Sequence, residues 1–63
     1  MGSSISSRKM IKIVEMDGWF AVRQNGSHIQ FKHPTKPGTT TIPIGYQDLP
    51  IGTVKNIKRQ AGI

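Results

Sequence analysis

The chain has 63 residues, of which 35% are apolar and none is Cys, and its nine Lys and Arg against three Asp and Glu give a net charge of +6. A chain of this length forms one small domain with too little core for a large active-site cleft. The lack of Cys excludes disulfides, thiol nucleophiles and Cys-based zinc sites, and agrees with a reducing cytoplasm. No apolar run reaches the roughly 18 residues of a membrane-spanning helix, so we expect a cytoplasmic protein without membrane contact. The strong positive charge favours a polyanionic partner, with nucleic acid as the first candidate.

The first predicted element is a helix over residues 7–16. Residues 1–6 are small, polar and without periodicity, which indicates a cloning remnant or disordered start, so the domain is expected over residues 7–63. Ser7 is a suitable N-cap, and Met10, Ile11 and Val14 repeat at helical spacing. The Asp-Gly pair at 17 and 18 provides a stop.

A β-hairpin follows, because two strand-like runs at 19–24 and 27–32 are separated by Asn25-Gly26. With these two residues as the turn, Arg23 would pair with His28. The same register places one set of side chains on the core face: Phe20, Val22, Ile29 and Phe31. It places another set on the opposite, open face: Arg23, His28, Gln30 and Lys32.

Residues 33–38 contain two Pro and one Gly and predict a loop, after which residues 39–44 predict a third strand with Ile42 and Ile44 on one side. Pro50 and Gly62 bracket a final helix. Its buried stripe is predicted as Val54, Ile57 and Ala61, and its solvent face as Lys55, Lys58 and Arg59. The order α-β-β-β-α predicts a single small α+β domain, with an antiparallel three-stranded sheet and two helices on one of its faces.

The candidate chemistry centres on one histidine. The three carboxylates are far apart in sequence and form no acid pair, and no ligand set for a metal or small-molecule cofactor is visible, so neither is expected. His28 lies on the open face, where a group that exchanges protons near neutral pH can act on RNA, whose 2′-hydroxyl is a built-in nucleophile. Arg23 and Lys32 would bind phosphate and Gln30 would orient it. The alternative is an exposed strand histidine without a role.

Three further cations and one aromatic residue have two interpretations each. Lys55, Lys58 and Arg59 either follow an RNA backbone or form a solvated helix face. Trp19 either stacks on a base or packs over Gly18 or the sheet edge. Tyr46 carries no functional signal.

Seven segments together resemble the HicA toxin family and extend over residues 7–63. They are SRKMIK at 7–12, DGW at 17–19, RQNGSH at 23–28, FKHP at 31–34, TIP at 41–43, DLPIGT at 48–53 and KRQAGI at 58–63. The Gly-Ser-His element with the later Leu-Pro-x-Gly-Thr and terminal Gln-Ala-Gly is the most specific part.

The resemblance implies a double-stranded-RNA-binding-domain-like fold and the activity of an mRNA interferase, the toxin of a type II toxin-antitoxin system that cleaves mRNA and inhibits translation and growth. It implies that His28 is the catalytic residue and that a HicB-like antitoxin covers it. A non-catalytic RNA-binding module is the alternative. Against it, the second helix begins with Gly-Thr-Val-Lys-Asn at 52–56 where double-stranded-RNA binders typically have Lys-Lys-x-Ala-Lys.

Overall fold

Two helices and three strands follow one another in the predicted order. The computed structural model describes residues 5–63, with helices α1 (Ser7–Met16) and α2 (Ile51–Ala61) and strands β1 (Phe20–Asn25), β2 (His28–Lys32) and β3 (Thr40–Pro43). The strands form one antiparallel sheet in the order β1-β2-β3, which confirms the α+β class. Within the described part of the chain, neither helix is long and apolar enough to cross a membrane.

Helix α1 has the predicted bounds, but its N-cap is Ser6 and the prediction of Ser7 is wrong. The Ser6 side chain accepts a hydrogen bond of 3.0 Å from the N–H of Lys9. Ser7 is the first helical residue and is buried, and its hydroxyl donates to the carbonyl of Pro43 at 2.7 Å. Ile5 packs against the core, and its carbonyl accepts from the N–H of Leu49 at 2.8 Å. Ile5 and Ser6 therefore take part in the fold, and residues 1–4 of the expected cloning remnant lie outside the described residues.

The β1–β2 hairpin forms, but its turn lies one residue later than predicted, which shifts the pairing beside the turn by two residues. Asn25 pairs with His28, so the two turn residues are Gly26 and Ser27. Gly26 has φ +63°, and no non-glycine residue among those described has a positive φ. A turn on Asn25-Gly26 needs positive φ at both residues, whereas Gly at the first central position followed by Ser needs it only once. The N–H of Ile44 donates to the Ser27 carbonyl at 2.8 Å and ties this turn to the segment after β3.

The predicted core face of β1 is wrong, because the strand contains a bulge at Val22. The register shifts between Ala21 and Arg23, so Ala21 stands opposite Phe31 and Phe20 stands opposite Lys32. Phe20 thus lies on the open face with half of its surface exposed, and Val22 is equally exposed. Neither residue belongs to the core to which the sequence pattern assigned it.

The core lies between the helices and the other face of the sheet. Phe31 and Ile42 supply its sheet side and are at most 1% exposed. Each such side chain contributes about 1.5–3 kcal/mol by leaving water. The predicted stripe of α2 is buried, and Gly62 ends this helix in the left-handed conformation with φ +69°. Strand β3 is shorter than the predicted 39–44, because the structure pairs only Thr40–Pro43 with β2.

Candidate active site on the open sheet face

The sheet face opposite the helices brings together four of the predicted site residues. Paired residues on neighbouring strands project to the same face, and every second residue of β2 is on the face away from the core. His28 is flanked by Asn25 and Pro43, and Gln30 is flanked by Arg23 and Thr41. With the Phe20 and Lys32 pair included, this open face consists of Phe20, Arg23, Asn25, His28, Gln30, Lys32, Thr41 and Pro43.

The corrected register moves Arg23 from the position opposite His28 to a diagonal one, but Arg23 is still the nearest cation on the open face. Arg23 stands opposite Gln30 and not opposite His28 as predicted, which makes it a diagonal neighbour of His28 at about 7–8 Å between backbone positions. Lys32 is four residues along the same strand, or about 13 Å away. The long Arg23 side chain is therefore within reach of His28, whereas Lys32 lies farther along the same face.

The two histidines have opposite environments. His28 is exposed at the start of β2, beside the tight turn. His33 is largely covered, and its Nδ1 accepts from the backbone N–H groups of Thr35 at 3.1 Å and Lys36 at 3.0 Å. Its proton is therefore on Nε2, which donates to the carbonyl of Asp17 at 2.7 Å. His33 holds the loop after β2, and His28 is the histidine whose ring faces solvent.

Trp19 and Lys36 belong to the same structural cluster as His33. Trp19 is 2% exposed and its ring meets the His33 ring edge-on, with centroids 5.2 Å apart, so the packing interpretation is confirmed. The Lys36 ammonium pairs with the Asp17 carboxylate and donates to the carbonyls of Ala61 at 3.1 Å and Gly62 at 3.3 Å. The hydrogen bond from Lys36 lowers the pKa of Asp17. This cluster joins the ends of both helices and leaves the open face free.

The predicted cations of α2 lie outside the open face. Helix α2 packs its Val54 and Ile57 side onto the core, so Lys55, Lys58 and Arg59 belong to the helical layer of the domain. Arg59 donates to the side chain of Asn56 at 2.9 Å. These three cations form a surface separate from His28, and their RNA contact stays a prediction.

Two residues near this site, to which the sequence pattern gives no role, lie together in the structure. Arg8 in the first turn of α1 and Tyr46 in the loop after β3 line one surface groove. Arg8 belongs to a basic first turn without an acidic residue, which is a weak signal in the sequence, and Tyr46 has none. Among residues 5–63, no three His, Asp or Glu side chains come together as a group able to hold a metal ion.

A known protein family matches most of this chain. A family model described as the HicA toxin of bacterial toxin-antitoxin systems matches residues 7–63, so the chain belongs to the HicA toxin family. No curated protein matches the chain. Membership of this family gives the protein the role of a toxin that has an antitoxin partner.

Proposed function

We propose that this HicA-family toxin is a metal-independent endoribonuclease, an mRNA interferase of a type II system, and that His28 is its general acid or base. The observation that carries the proposal is the position of His28, exposed on an open sheet face with Arg23 diagonally across from it and Lys32 four residues further along the strand. RNA brings its own nucleophile, so such a site needs a proton-transfer group and cations, both of which this face provides.

The step we propose is a transesterification within the RNA. The 2′-oxygen forms a bond to the neighbouring phosphorus, and the bond from phosphorus to the 5′-oxygen breaks. The products are a 2′,3′-cyclic phosphate and a 5′-hydroxyl. His28 carries one of the two proton transfers, either accepting the proton of the 2′-hydroxyl or donating one to the departing 5′-oxygen, and water carries the other. Arg23 stabilises the charge that gathers on the phosphate, Gln30 orients it, and Lys32 binds the adjacent phosphate.

The direct test incubates the purified protein and its His28→Ala variant with a defined single-stranded RNA in excess EDTA. We expect the parent to cleave and the variant to be inactive, with products that end in a cyclic phosphate. An oligonucleotide with 2′-O-methyl groups should resist cleavage, because it lacks the nucleophile. Circular dichroism checks that the variant is folded. If both proteins bind the RNA equally and neither cleaves it, the alternative of a non-catalytic RNA-binding module takes its place.

The positions of the two cations relative to His28 give a second, graded test. Arg23→Gln should lower kcat at least tenfold, because Arg23 is the cation that reaches the reacting phosphate. Lys32→Gln should mainly raise KM, because its phosphate contact is the same before and during the reaction. Lys12→Gln removes an equal charge from the exposed side of α1 and is the matched control. Equal losses in all three variants would show that only net charge matters.

We propose further that the partner is an acidic HicB-like antitoxin that covers His28 in the cytoplasm. The two sheet edges differ in a way that supports a partner at the hairpin side. On β3, the N–H of Thr41 donates to the Gln60 side chain at 3.3 Å, Pro43 has no N–H, and its carbonyl is bound by Ser7. All six residues of β1 are exposed. A partner that covers His28 can therefore also bury Phe20 and the edge of β1.

Native mass spectrometry of the toxin co-expressed with its cognate antitoxin tests this proposal. We expect a complex in which the antitoxin blocks cleavage and salt weakens the association, because the toxin contributes positive charge. Phe20→Ala should weaken the complex, whereas Met16→Ala removes an exposed apolar side chain of α1 and should not. A co-expressed pair that yields only free toxin would count against a protein antitoxin.

A further inference from the structure

A groove runs between the first turn of α1 and the loop that follows β3. Its volume is about 450 Å³, within the range of sites that hold one small ligand. The lining residues are Ser6, Ser7, Arg8, Gly45, Tyr46 and Gln47. Arg8 is exposed, and 47% of the Tyr46 surface is accessible, so the lining of one groove contains a cation and an aromatic ring that are both open to solvent.

The groove is formed before any ligand arrives, because hydrogen bonds fix its two walls to each other. The N–H of Ser7 donates to the Tyr46 carbonyl at 3.0 Å, and the N–H of Tyr46 donates to the Ser7 hydroxyl at 3.1 Å. The same hydroxyl donates to the Pro43 carbonyl. The loop that carries Tyr46 is thus held on both the helix and the strand, so a ligand does not bear the cost of ordering it.

The groove also adjoins the candidate active site. Pro43 is the direct neighbour of His28 in the sheet, at about 4.5–5.5 Å between backbone positions, and it is the residue that Ser7 binds. The first turn of α1 therefore stands against the outer side of β3, one strand beyond His28. A nucleic-acid strand that passes His28 and continues across β3 meets Arg8 and Tyr46 next.

The charged side chains in the first turn of α1 do not stabilise the helix. The N-terminus of a helix carries partial positive charge and favours acidic residues, yet the first turn of α1 has none and contains Arg8 and Lys9. An anion bound beside Arg8 would offset the repulsion between these positive side chains and the positive end of the helix. Sites for single-stranded nucleic acid combine such cations with aromatic rings on which bases stack.

We propose that this groove is an RNA subsite, in which Arg8 binds a phosphate and Tyr46 stacks on the base of a nucleotide flanking the one that His28 attacks. The inference rests on the proposed ribonuclease function and adds the place where the flanking RNA is held. It assigns Tyr46 and Arg8 to substrate binding and leaves proton transfer to His28.

The test measures binding apart from cleavage. The His28→Ala protein serves as the parent, and a fluorescently labelled single-stranded RNA is titrated at several salt concentrations. Tyr46→Ala should weaken binding about fivefold or more, and Tyr46→Phe, which keeps the ring, should restore it. Arg8→Gln should weaken binding and reduce the slope of log affinity against log salt by about 1. Lys9→Gln removes the same charge from the same turn outside the groove lining and should have the smaller effect.

The outcomes separate this inference from the ribonuclease proposal. If the parent binds RNA and the Tyr46→Ala and Arg8→Gln variants bind equally well, the subsite is refuted while the ribonuclease proposal stands. If Arg8→Gln and Lys9→Gln lose the same affinity, general charge explains the binding and the subsite is again refuted. If Arg8→Gln leaves RNA binding intact but weakens the antitoxin complex, the groove is a protein-binding surface. The ribonuclease proposal fails if wild-type protein does not cleave in EDTA or if the His28→Ala variant still cleaves.

Discussion

Gly18 lies so close to the His33 ring that we expect Gly18→Ala, which adds one methyl group, to lower the stability of the fold strongly. Gly18 has φ +109°, and a Cβ there would lie 2.7 Å from the Nε2 atom of His33. That nitrogen donates to the Asp17 carbonyl, so the added methyl displaces the ring from the bonds that hold its loop. The backbone strain of a non-glycine residue at positive φ costs about 1–2 kcal/mol. The displaced hydrogen bond adds about 1–2 kcal/mol, for a total of roughly 2–4 kcal/mol.

Gly38 provides the matched control, since it has φ +85° but nothing within 4 Å of an added Cβ. Gly38→Ala should therefore show the strain alone, about 1–2 kcal/mol. Urea unfolding measures both variants in a His28→Ala background, where RNA in the host is not attacked. With a slope of about 1 kcal/mol per molar urea, the two midpoints should differ by about 1–2 M. A domain of this size is stable by only about 3–9 kcal/mol, so the difference is easily measured.

Equal urea midpoints for Gly18→Ala and Gly38→Ala would contradict the predicted clash with the His33 ring. A second variant locates the cause. In a His33→Ala protein the ring is absent, so adding Gly18→Ala should cost only the strain that Gly38→Ala shows. An undiminished loss in that double variant would mean that the methyl group meets something other than the His33 ring.

Three more predictions concern stability and use the same unfolding assay. Thr40 is fully buried with a hydroxyl that has no partner among the described residues, so Thr40→Val should stabilise the protein by about 1 kcal/mol. His33→Ala should cost about 2–3 kcal/mol because the backbone groups it binds lose their partner, whereas His28→Ala should change stability by less than about 0.5 kcal/mol. The hydrogen bond from Lys36 keeps the pKa of Asp17 below its ordinary 3.8, so this contribution is complete above pH 3.8 and is lost as pH falls through the lower folded value. Asp17→Asn should flatten that acid limb, and an unchanged limb would contradict the pairing.

The helices could be predicted from the sequence because their signals are local. The end of α1 at Asp17-Gly18 and the glycine after α2 both fall where the structure ends these helices. The hairpin could be predicted as an element but not in its register, since Asn25-Gly26 and Gly26-Ser27 are both acceptable turns. What separates them is the bulge at Val22, which matches Ala21 to Phe31 across the sheet. That choice depends on packing and turn strain together, and no short window of sequence contains both.

The candidate site, too, could be predicted only where local sequence signals determine it. The positions of His28, Gln30 and Lys32 on one face follow from the alternation of a single strand, and this holds in any register. Their partners on β1 depend on the register, so the sequence placed Arg23 opposite the wrong residue. For the cations of α2, charge alone left RNA binding and a solvated helix face as alternatives, and their position in the helical layer leaves the RNA contact a prediction.

The two histidines show why residue type alone identifies no active site. They lie at the two ends of one strand region, and either could exchange protons in isolation. Both ring nitrogens of His33 are hydrogen-bonded to backbone groups. A proton transfer to or from this ring would therefore disrupt hydrogen bonds that hold the loop between β2 and β3. The ring of His28 is exposed on a strand between Asn25 and Pro43, and among residues 5–63 its ring nitrogens make no hydrogen bond of this kind. The two helices cover one face of this small sheet, and the proposed action of His28 on RNA depends on the other face, where the ring is exposed and holds no loop in place.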